Sequence, residues 1–241
     1  MPTAVITGAN SGIGNALAQI LVKESQALRH MQGYKVIAAD IELGDPIKSL
    51  GCENIKLDIT SPDDIQNFKE QVGDQPIDML LNIAGVMSPH SSDTLQTVSL
   101  PTFQATFAVN TFGPLLLTQA LLPNILLSPH PRIAVMSSRV GSMGDNSSGG
   151  SYSYRASKAA VNSLFKSMAV DLREKNVPVI LLHPGIVKTN LDKRWGEGGA
   201  LDFKGAVEPE VAAGELWRVL MGKGMESTGK FYHRNGEELP W

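Results

Sequence analysis

The fold follows from Thr7-Gly8-Ala9-Asn10-Ser11-Gly12-Ile13-Gly14, where three glycines separate a short apolar run from a helix-length segment. The apolar run covers residues 4–7, and the helical pattern continues to about residue 22. Glycines at such a turn let the backbone approach a pyrophosphate, whose charge is attracted by the N–H groups that begin the helix. The spacing G-x-x-x-G-x-G differs from the commoner dinucleotide fingerprint, so an ordinary strand–turn–helix remains the alternative.

Short apolar runs alternate with helix-length segments along the whole chain. The runs cover residues 4–7, 35–40, 54–58, 77–83, 133–137, 179–183 and 230–233. They are almost continuously apolar, as is typical of parallel strands covered on both faces. The clearest helical pattern covers residues 156–174. The alternation predicts an α/β fold of the Rossmann type, a doubly wound parallel sheet of about seven strands with helices on both faces, in a single domain over residues 1–241.

The composition narrows the possible functions. Apolar residues make up 42% of the chain, which suits a globular core. Twenty-one basic against twenty-four acidic residues give a net charge of −3, so we expect neither a nucleic-acid nor a membrane partner. The single cysteine excludes an internal disulfide, and the histidines lack metal-ligand spacing, so no metal is expected. No run approaches the roughly 18 apolar residues of a membrane span, and no leader is recognisable, which predicts a cytoplasmic protein.

Two acidic residues follow predicted strands. Asp40 closes the second strand, where a carboxylate can accept hydrogen bonds from ribose hydroxyls and repel a 2′-phosphate. No Lys or Arg occupies residues 9–13 or 41, so this end of the site favours NAD over NADP, unless Asp40 is simply a solvated strand end. Asp58 ends the third strand, and it either lies near an adenine ring or caps the helix that begins near Pro62, although Thr60 and Ser61 are better placed for that cap.

Tyr154 and Lys158 lie four residues apart at the start of the clearest helix, and therefore on one face of it. A phenol with a pKa of about 10 is a poor acid or base at neutral pH, but a neighbouring ammonium lowers that pKa. Ser138, with Ser137 as the alternative, ends the fifth strand and can offer a hydroxyl to a substrate oxygen. By itself, a tyrosine and a lysine at this spacing are common on helix surfaces.

Taken together, these residues resemble the short-chain dehydrogenase/reductase family over nearly the whole chain. Within that family, residues 137–144, 152–158 and 229–232 are similar to the carbonyl-reductase branch that includes the C-factor-like proteins. The matches come in family order: the glycine turn, Asp40, Asp58, Asn82-Ile83-Ala84-Gly85, Asn110, Ser138, Tyr154, Lys158 and Pro184-Gly185-Ile186-Val187-Lys188-Thr189.

The resemblance implies hydride transfer between a nicotinamide cofactor and a secondary alcohol, ketone or aldehyde. It makes Tyr154 the general acid/base, while Lys158 holds the nicotinamide ribose and lowers the pKa of the tyrosine. Ser138 would orient the substrate oxygen and Asn110 would anchor the water of a proton relay. The cofactor contacts that it implies are Gly8, Asn10, Ser11, Gly12, Ile13, Gly14, Asp40, Asp58, Ile59, Asn82, Ala84, Gly85, Tyr154, Lys158, Pro184, Gly185, Val187 and Thr189.

Some features depart from the family pattern. Ile83 replaces an asparagine that usually links the central strands, and the interval from Ser138 to Tyr154 is a little long. The carbonyl-reductase branch often has a basic residue after the second strand and uses NADP. This chain has Asp40 there, which favours NAD, and we therefore expect NAD to be the preferred cofactor. His183 is expected to be a packed or hydrogen-bonded side chain rather than a catalytic one.

The resemblance also implies a homodimer or homotetramer. The glycine-rich stretch at about residues 190–206 follows directly on Thr189, and we expect it to be a mobile substrate lid that cofactor and substrate order. A catalytically silent nucleotide-sensing protein on the same fold is the competing function. Such proteins usually lose the tyrosine or the lysine, and both are present here.

Overall fold

Seven parallel strands form one sheet in the computed structural model, which describes residues 1–27, 33–189, 191 and 204–241. The strand order is β3-β2-β1-β4-β5-β6-β7. The strands are β1 Thr3–Thr7, β2 Lys35–Asp40, β3 Glu53–Lys56, β4 Met79–Asn82, β5 Arg132–Met136, β6 Val179–His183 and β7 Phe231–His233. The α-helices are α1 Gly12–Ala27, α2 Asp45–Lys48, α3 Pro62–Val72, α4 Leu100–Phe107, α5 Gly113–Leu126, α6 Tyr152–Asp171 and α7 Pro209–Met221. The predicted doubly wound Rossmann-type sheet is confirmed.

Helices cover both faces of the sheet, which explains why the strands are apolar almost without interruption. Val5 points to one face, where it belongs to a buried cluster with Leu117 of α5 and Phe165 of α6. Its neighbour Ile6 points to the other face, which is covered by α1 and α7. Successive side chains on a strand alternate between the faces, so each strand must supply apolar residues to two cores.

The strand predictions were correct in position and differ in length. The runs at 35–40 and 179–183 are β2 and β6 with the predicted bounds. The run at 77–83 shortens to Met79–Asn82, because the N–H of Ile77 bonds to Asn124 at the end of α5 instead of to a strand. The first helix continues to Ala27, beyond its predicted end.

The chain reverses its winding direction at β1, which pairs with β2 on one side and β4 on the other. Such a switch point opens a crevice at the carboxyl ends of the strands. Gly8 has a φ of +71°, and a Cβ there would lie 2.9 Å from the Cα of Ala84. A Cβ on Gly14 would lie 2.0 Å from the carbonyl oxygen of Gly8. The turn therefore requires glycine at both positions.

A hydroxyl at the end of β1 ties the central strands together. Thr7 Oγ1 accepts from the N–H groups of Ile83 at 3.1 Å and Ala84 at 3.2 Å. Asn82 Nδ2 donates to Thr118 Oγ1 of α5 at 3.1 Å. These bonds link β1, β4 and α5 although Ile83 has no polar side chain.

The helical run Leu100–Leu126 is long and apolar enough to cross a membrane by length and composition alone, which the sequence analysis did not expect. It is divided by a π-helical turn, Ala108–Phe112, that separates α4 from α5. Thr106, Leu117 and Leu121 of this run are buried inside the protein. One side of the run therefore packs in the core, whereas Phe112 and Leu116 on it are exposed.

Two helical glycines should respond in opposite ways to alanine. At Gly113 a Cβ would lie 2.8 Å from Ile59 Cγ1 and 2.9 Å from the Ile59 carbonyl oxygen, whereas at Gly214 it would enter open space. We expect Gly113→Ala to lower the free energy of unfolding by about 1–3 kcal/mol through overpacking. Gly214→Ala should raise it by roughly 0.5–1 kcal/mol, because alanine favours the helix. Urea denaturation measures both, and equal shifts would contradict the packing of α5 on the β3–α3 loop.

Candidate active site

A cavity of about 900 Å³ opens at the carboxyl edge of the sheet. The glycine turn, the segments that follow β2 to β6, and the first turns of α6 form its wall. Of the residues singled out from the sequence as catalytic or cofactor-binding, only Asn82 and Asn110 are absent from this wall, and both are buried behind it. The structure thus gathers the remaining residues, which are spread over residues 8–189, around a single space.

The glycine turn lies at the middle of this cavity. Helix α1 begins at Gly12, so its unpaired first N–H groups and the positive end of its dipole are at the cavity. A Cβ on Gly12 would lie 3.1 Å from Thr189 Cγ2, which places the segment after β6 directly against the turn.

The carboxylate of Asp40 is held at one end of the cavity by backbone donors. Its Oδ2 accepts from the N–H of Asn10 at 2.8 Å and its Oδ1 from that of Glu42 at 3.3 Å. The Asn10 side chain in turn accepts from the N–H of Gly44 at 3.1 Å. Glu42 is exposed and also lines the cavity, so this part of the wall has two acidic residues. Sequence reasoning missed Glu42, which follows the strand end without any motif.

Asp58 lines the cavity and does not cap α3. Its Oδ1 accepts from the N–H of Thr60 at 2.8 Å and from the Thr60 hydroxyl at 2.7 Å. The N-cap of α3 is Ser61, whose hydroxyl accepts from the N–H of Asp64 at 3.1 Å. Of the two readings of Asp58, the helix cap is therefore wrong.

Tyr154 and Lys158 lie on one face of α6, and both are buried at the cavity wall. The Lys158 ammonium lies 5.8 Å from the centroid of the tyrosine ring. It donates to the carbonyl oxygen of Met136 at 2.9 Å. Burial away from water lowers the pKa of Lys158 from 10.5 to about 8. The spacing seen in the sequence thus corresponds to an ammonium that is held beside a phenol.

Asn110 lies in the π-helical turn between α4 and α5, a geometry that is frequent at functional sites. Its Oδ1 accepts from the N–H of Val86 at 2.9 Å, and its Nδ2 donates to the Val86 carbonyl at 2.8 Å and to Ser157 Oγ at 3.1 Å. The side chain therefore connects the segment after β4 to α6, next to Lys158.

The structure separates the two candidate serines. The hydroxyl of Ser137 donates to Asn162 Oδ1 of α6 at 2.5 Å, a bond that is buried. Ser138 is the next residue, lines the cavity in an extended conformation and precedes a 3₁₀ turn, Arg139–Gly141. Since the proton of Ser137 is already donated, Ser138 is the better placed hydroxyl for a substrate oxygen.

Asp93 holds the start of α6, and sequence reasoning missed it. Only 1% of this residue is exposed, and its carboxylate accepts from the N–H and the hydroxyl of Ser153, both at 2.8 Å, and from the N–H of Tyr154 at 3.3 Å. Ser151, at the N-cap position, makes no side-chain cap bond. Asp93 supplies this cap from 60 residues away, a separation that no local motif reveals.

His183 lines the cavity as a neutral side chain. Its ring centroid lies 5.3 Å from that of His233, and its Nδ1 has no hydrogen-bond partner within the described part of the chain. Burial, followed by the charges of His233, Arg139 and Arg234, lowers the pKa of His183 to about 3. The ring therefore packs against His233 at the cavity wall, and the expectation that His183 is not catalytic stays a prediction.

The predicted lid at 190–206 falls largely on residues 190 and 192–203, which lie outside the described residues. The segments on either side of them meet. Lys188 donates its backbone N–H to the Val207 carbonyl at 2.9 Å, and the N–H of Val207 donates to the Ile186 carbonyl at 3.1 Å. A salt bridge of 2.7 Å between Lys188 and Glu208 joins the same two segments.

Comparison with known families agrees with this geometry. A model of the family described as short chain dehydrogenase matches residues 2–199. The chain belongs to the short-chain dehydrogenase family. The resemblance that the motifs indicated is therefore confirmed, and with it an oxidoreductase that binds a nicotinamide cofactor.

Curated members of this family include similar proteins with assigned names. The chain is 33% identical to the 1-hydroxy-2-glutathionyl-2-methyl-3-butene dehydrogenase of Rhodococcus sp., with all of both chains covered. It is 37% identical to the C-signal protein of Myxococcus xanthus over 174 residues, which cover 72% of this chain and 98% of that protein.

Solved structures of carbonyl reductases share the complete fold. The NADPH-bound carbonyl reductase from chicken fatty liver is 28% identical and superimposes with a TM-score of 0.87, covering 100% of this chain and 99% of its own. The carbonyl reductase Sniffer of D. melanogaster is 26% identical with a TM-score of 0.85, and both chains are covered completely. These members of the short-chain dehydrogenase family confirm the similarity to carbonyl reductases.

Replacing the buried ammonium should stabilise the free protein at neutral pH. Because the pKa of Lys158 falls from 10.5 to about 8 on folding, the unfolded chain binds more protons between these values, and stability rises with pH across that window. Below it the charge is buried at full cost, so we expect Lys158→Met to raise the free energy of unfolding by about 1–3 kcal/mol. Urea denaturation at neutral pH and near pH 10 measures the gain, which should shrink at the higher pH. A stability gain of Lys158→Met that increases with pH would contradict a buried ammonium at this position.

Proposed function

We propose that this chain is an NAD-dependent short-chain dehydrogenase that interconverts a secondary alcohol with its ketone, or a primary alcohol with its aldehyde. The observation that carries the proposal is the buried pair of Tyr154 and Lys158 on the cavity wall, with Ser138 on the same wall. We further propose that residues 1–241 act as one dinucleotide-binding and catalytic domain.

The residues around the cavity suit a nicotinamide dinucleotide. Glycines 8, 12 and 85 leave space along the wall, and a Cβ on Gly85 would lie 3.6 Å from Lys158 Nζ. The glycine turn would hold the pyrophosphate, Asp40 the adenosine ribose, Lys158 the nicotinamide ribose, and Val187 with Thr189 the carboxamide. When bound, the nicotinamide supplies or takes up the hydride.

The side chains of the protein would manage the proton. Tyr154 donates its hydroxyl proton to the carbonyl oxygen during reduction and recovers it during oxidation. The Lys158 ammonium, held beside the ring, stabilises the phenolate form because opposite charges attract strongly away from water. Ser138 donates a hydrogen bond to the same substrate oxygen, and Asn110 keeps the neighbouring backbone of Val86 in place.

We also propose a cytoplasmic homodimer or homotetramer that binds a small carbonyl or alcohol substrate. Apolar side chains on the helix that carries Tyr154 and on the one before it support the pairing. Phe112, Leu116 and Val170 are 52%, 41% and 57% exposed, respectively. The competing function, a nucleotide-sensing protein without catalysis, has no specific observation in its favour, because Tyr154, Lys158 and Ser138 are all at the cavity.

Tyr154→Phe tests the catalytic assignment. Loss of a positioned acid/base group should lower kcat by about 10²–10⁴-fold on any carbonyl substrate that the wild type reduces, while NADH binding, followed by fluorescence, stays the same. Tyr152→Phe is the matched control, because Tyr152 starts the same helix, is 37% exposed and does not line the cavity. Normal turnover by the Tyr154 variant would refute the role, and NADH binding without turnover by the wild type would favour the sensor.

Cofactor preference depends on the carboxylates beside the second strand. Asp40 and Glu42 would face a 2′-phosphate, and repulsion between like charges near a protein surface is worth several kcal/mol at close range. We expect the wild type to prefer NADH, although the related chicken reductase holds NADPH. Asp40→Ala should shift the ratio of kcat/KM values toward NADPH by about tenfold or more. Asp45→Ala, outside the cavity, is the control, and equal or better turnover of NADPH by the wild type would overturn the proposal.

A further inference from the structure

The loop between the 3₁₀ turn and α6 has an unusual backbone. Gly149, Gly150 and Ser151 have φ values of +62°, +67° and +49°, so three consecutive residues are left-handed. Glycine tolerates this region, but a serine there is strained. Ser148 and these three residues also line the cavity, on the wall that leads to Tyr154. Strained backbone persists only where its surroundings hold it in place.

Arg155 provides most of that support. Its Nε donates to the carbonyl oxygens of Gly149 at 3.1 Å and Gly150 at 3.0 Å. Its Nη1 donates to the Val140 carbonyl at 3.0 Å, and its Nη2 to Ser148 Oγ at 2.8 Å. The planar guanidinium reaches both ends of the loop at once, which the single ammonium of a lysine cannot do.

The remaining bonds of the loop act elsewhere. Asp145 forms a 2.6 Å salt bridge with Arg139, and the N–H of Gly144 donates to the Trp241 carbonyl at 3.0 Å. Both lie in the first half of the loop. The N–H of Gly149 donates to Asn146 Oδ1, a bond within the loop itself. Among the described residues, the hydrogen bonds of Arg155 thus join residues 148–150 to α6. Arg155 itself directly follows Tyr154 on that helix.

We propose that Arg155 is a positioning residue that holds residues 148–150, together with Val140, against α6 and thereby shapes the substrate end of the cavity. The proposal rests on the proposed function, because the loop matters for specificity only if a substrate binds beside Tyr154. Arg155 itself takes no part in proton transfer. Its effect on the reaction passes through the loop, so it should appear in substrate binding more than in the chemical step.

The test compares Arg155→Ala and Arg155→Lys with Arg173→Ala, an exposed arginine beyond the other end of α6. Hydrogen exchange by mass spectrometry on peptides covering residues 143–151 reports the loop directly. Without the clamp we expect exchange about tenfold faster, which corresponds to about 1.4 kcal/mol. Steady-state kinetics with benzaldehyde, acetophenone and cyclohexanone measure how a more mobile loop affects the reaction. We expect kcat/KM to fall by about 100-fold, mainly through KM, because small displacements in a site have effects of that size.

Two further measurements separate positioning from other roles. Methylguanidinium added to Arg155→Ala should restore part of the protection from hydrogen exchange and part of kcat/KM. Arg155→Lys should still exchange fast at residues 143–151 although it keeps the positive charge. The affinity for NADH should be unchanged in the alanine and the lysine variant. Melting curves establish that each variant is folded. If the alanine variant does not fold, the test is made with the lysine variant.

Wild-type exchange at residues 143–151 in both variants would overturn the proposal. So would a loss of activity without faster exchange, because it would mean that Arg155 binds the substrate directly. If the wild type reduces none of the probes, the proposed function is in doubt, but the exchange measurement still decides whether Arg155 holds the loop.

Discussion

The close approach of two backbones at the carboxyl end of β1 is the constraint on which the rest of the structure depends. Gly8 leaves β1 with a positive φ and passes Ala84 with no room for a side chain, while Gly14 lies against the carbonyl of Gly8. This contact sets where α1 begins relative to β4, and it keeps the crevice at the switch point open. Thr7 stabilises the same junction, because its hydroxyl accepts from two N–H groups of the neighbouring chain segment.

The helix that carries Tyr154 is held by residues from several parts of the chain. Asp93 caps its first turn, Asn110 bonds to Ser157, and Gly141 packs so closely that a Cβ would lie 2.7 Å from Lys158 Cβ. A helix that is fastened at successive turns keeps the side chains of Tyr154 and Lys158 in fixed positions at the cavity, as the proposed acid/base role requires. The same arrangement buries an ammonium, and the loss of hydration lowers the pKa of Lys158.

The fold of this protein is shared with its relatives, whereas its chemistry depends on individual side chains. The similarity to carbonyl reductases extends over the whole chain, as the TM-score of 0.87 with the chicken enzyme shows. In the proposed function, in contrast, cofactor choice and substrate choice depend on a few side chains at the cavity. Asp40 and Glu42 make one end acidic, and Lys158 and Arg155 lie toward the other. One fold hosts many activities, so the function has to be argued from the side chains of the site.

The sequence by itself determined the alternation of strands and helices, the glycine turn and the spacing of Tyr154 and Lys158. These features depend on local periodicity and on residues close together in the chain, which any reader of the sequence can see. Only the tertiary structure showed that the Ser137 hydroxyl bonds to Asn162 of α6, and only it brought Asp93 to the start of the same helix. Each of these outcomes depends on which hydrogen-bond partner a side chain meets. That partner is chosen by packing between segments far apart in sequence, and no local pattern records it.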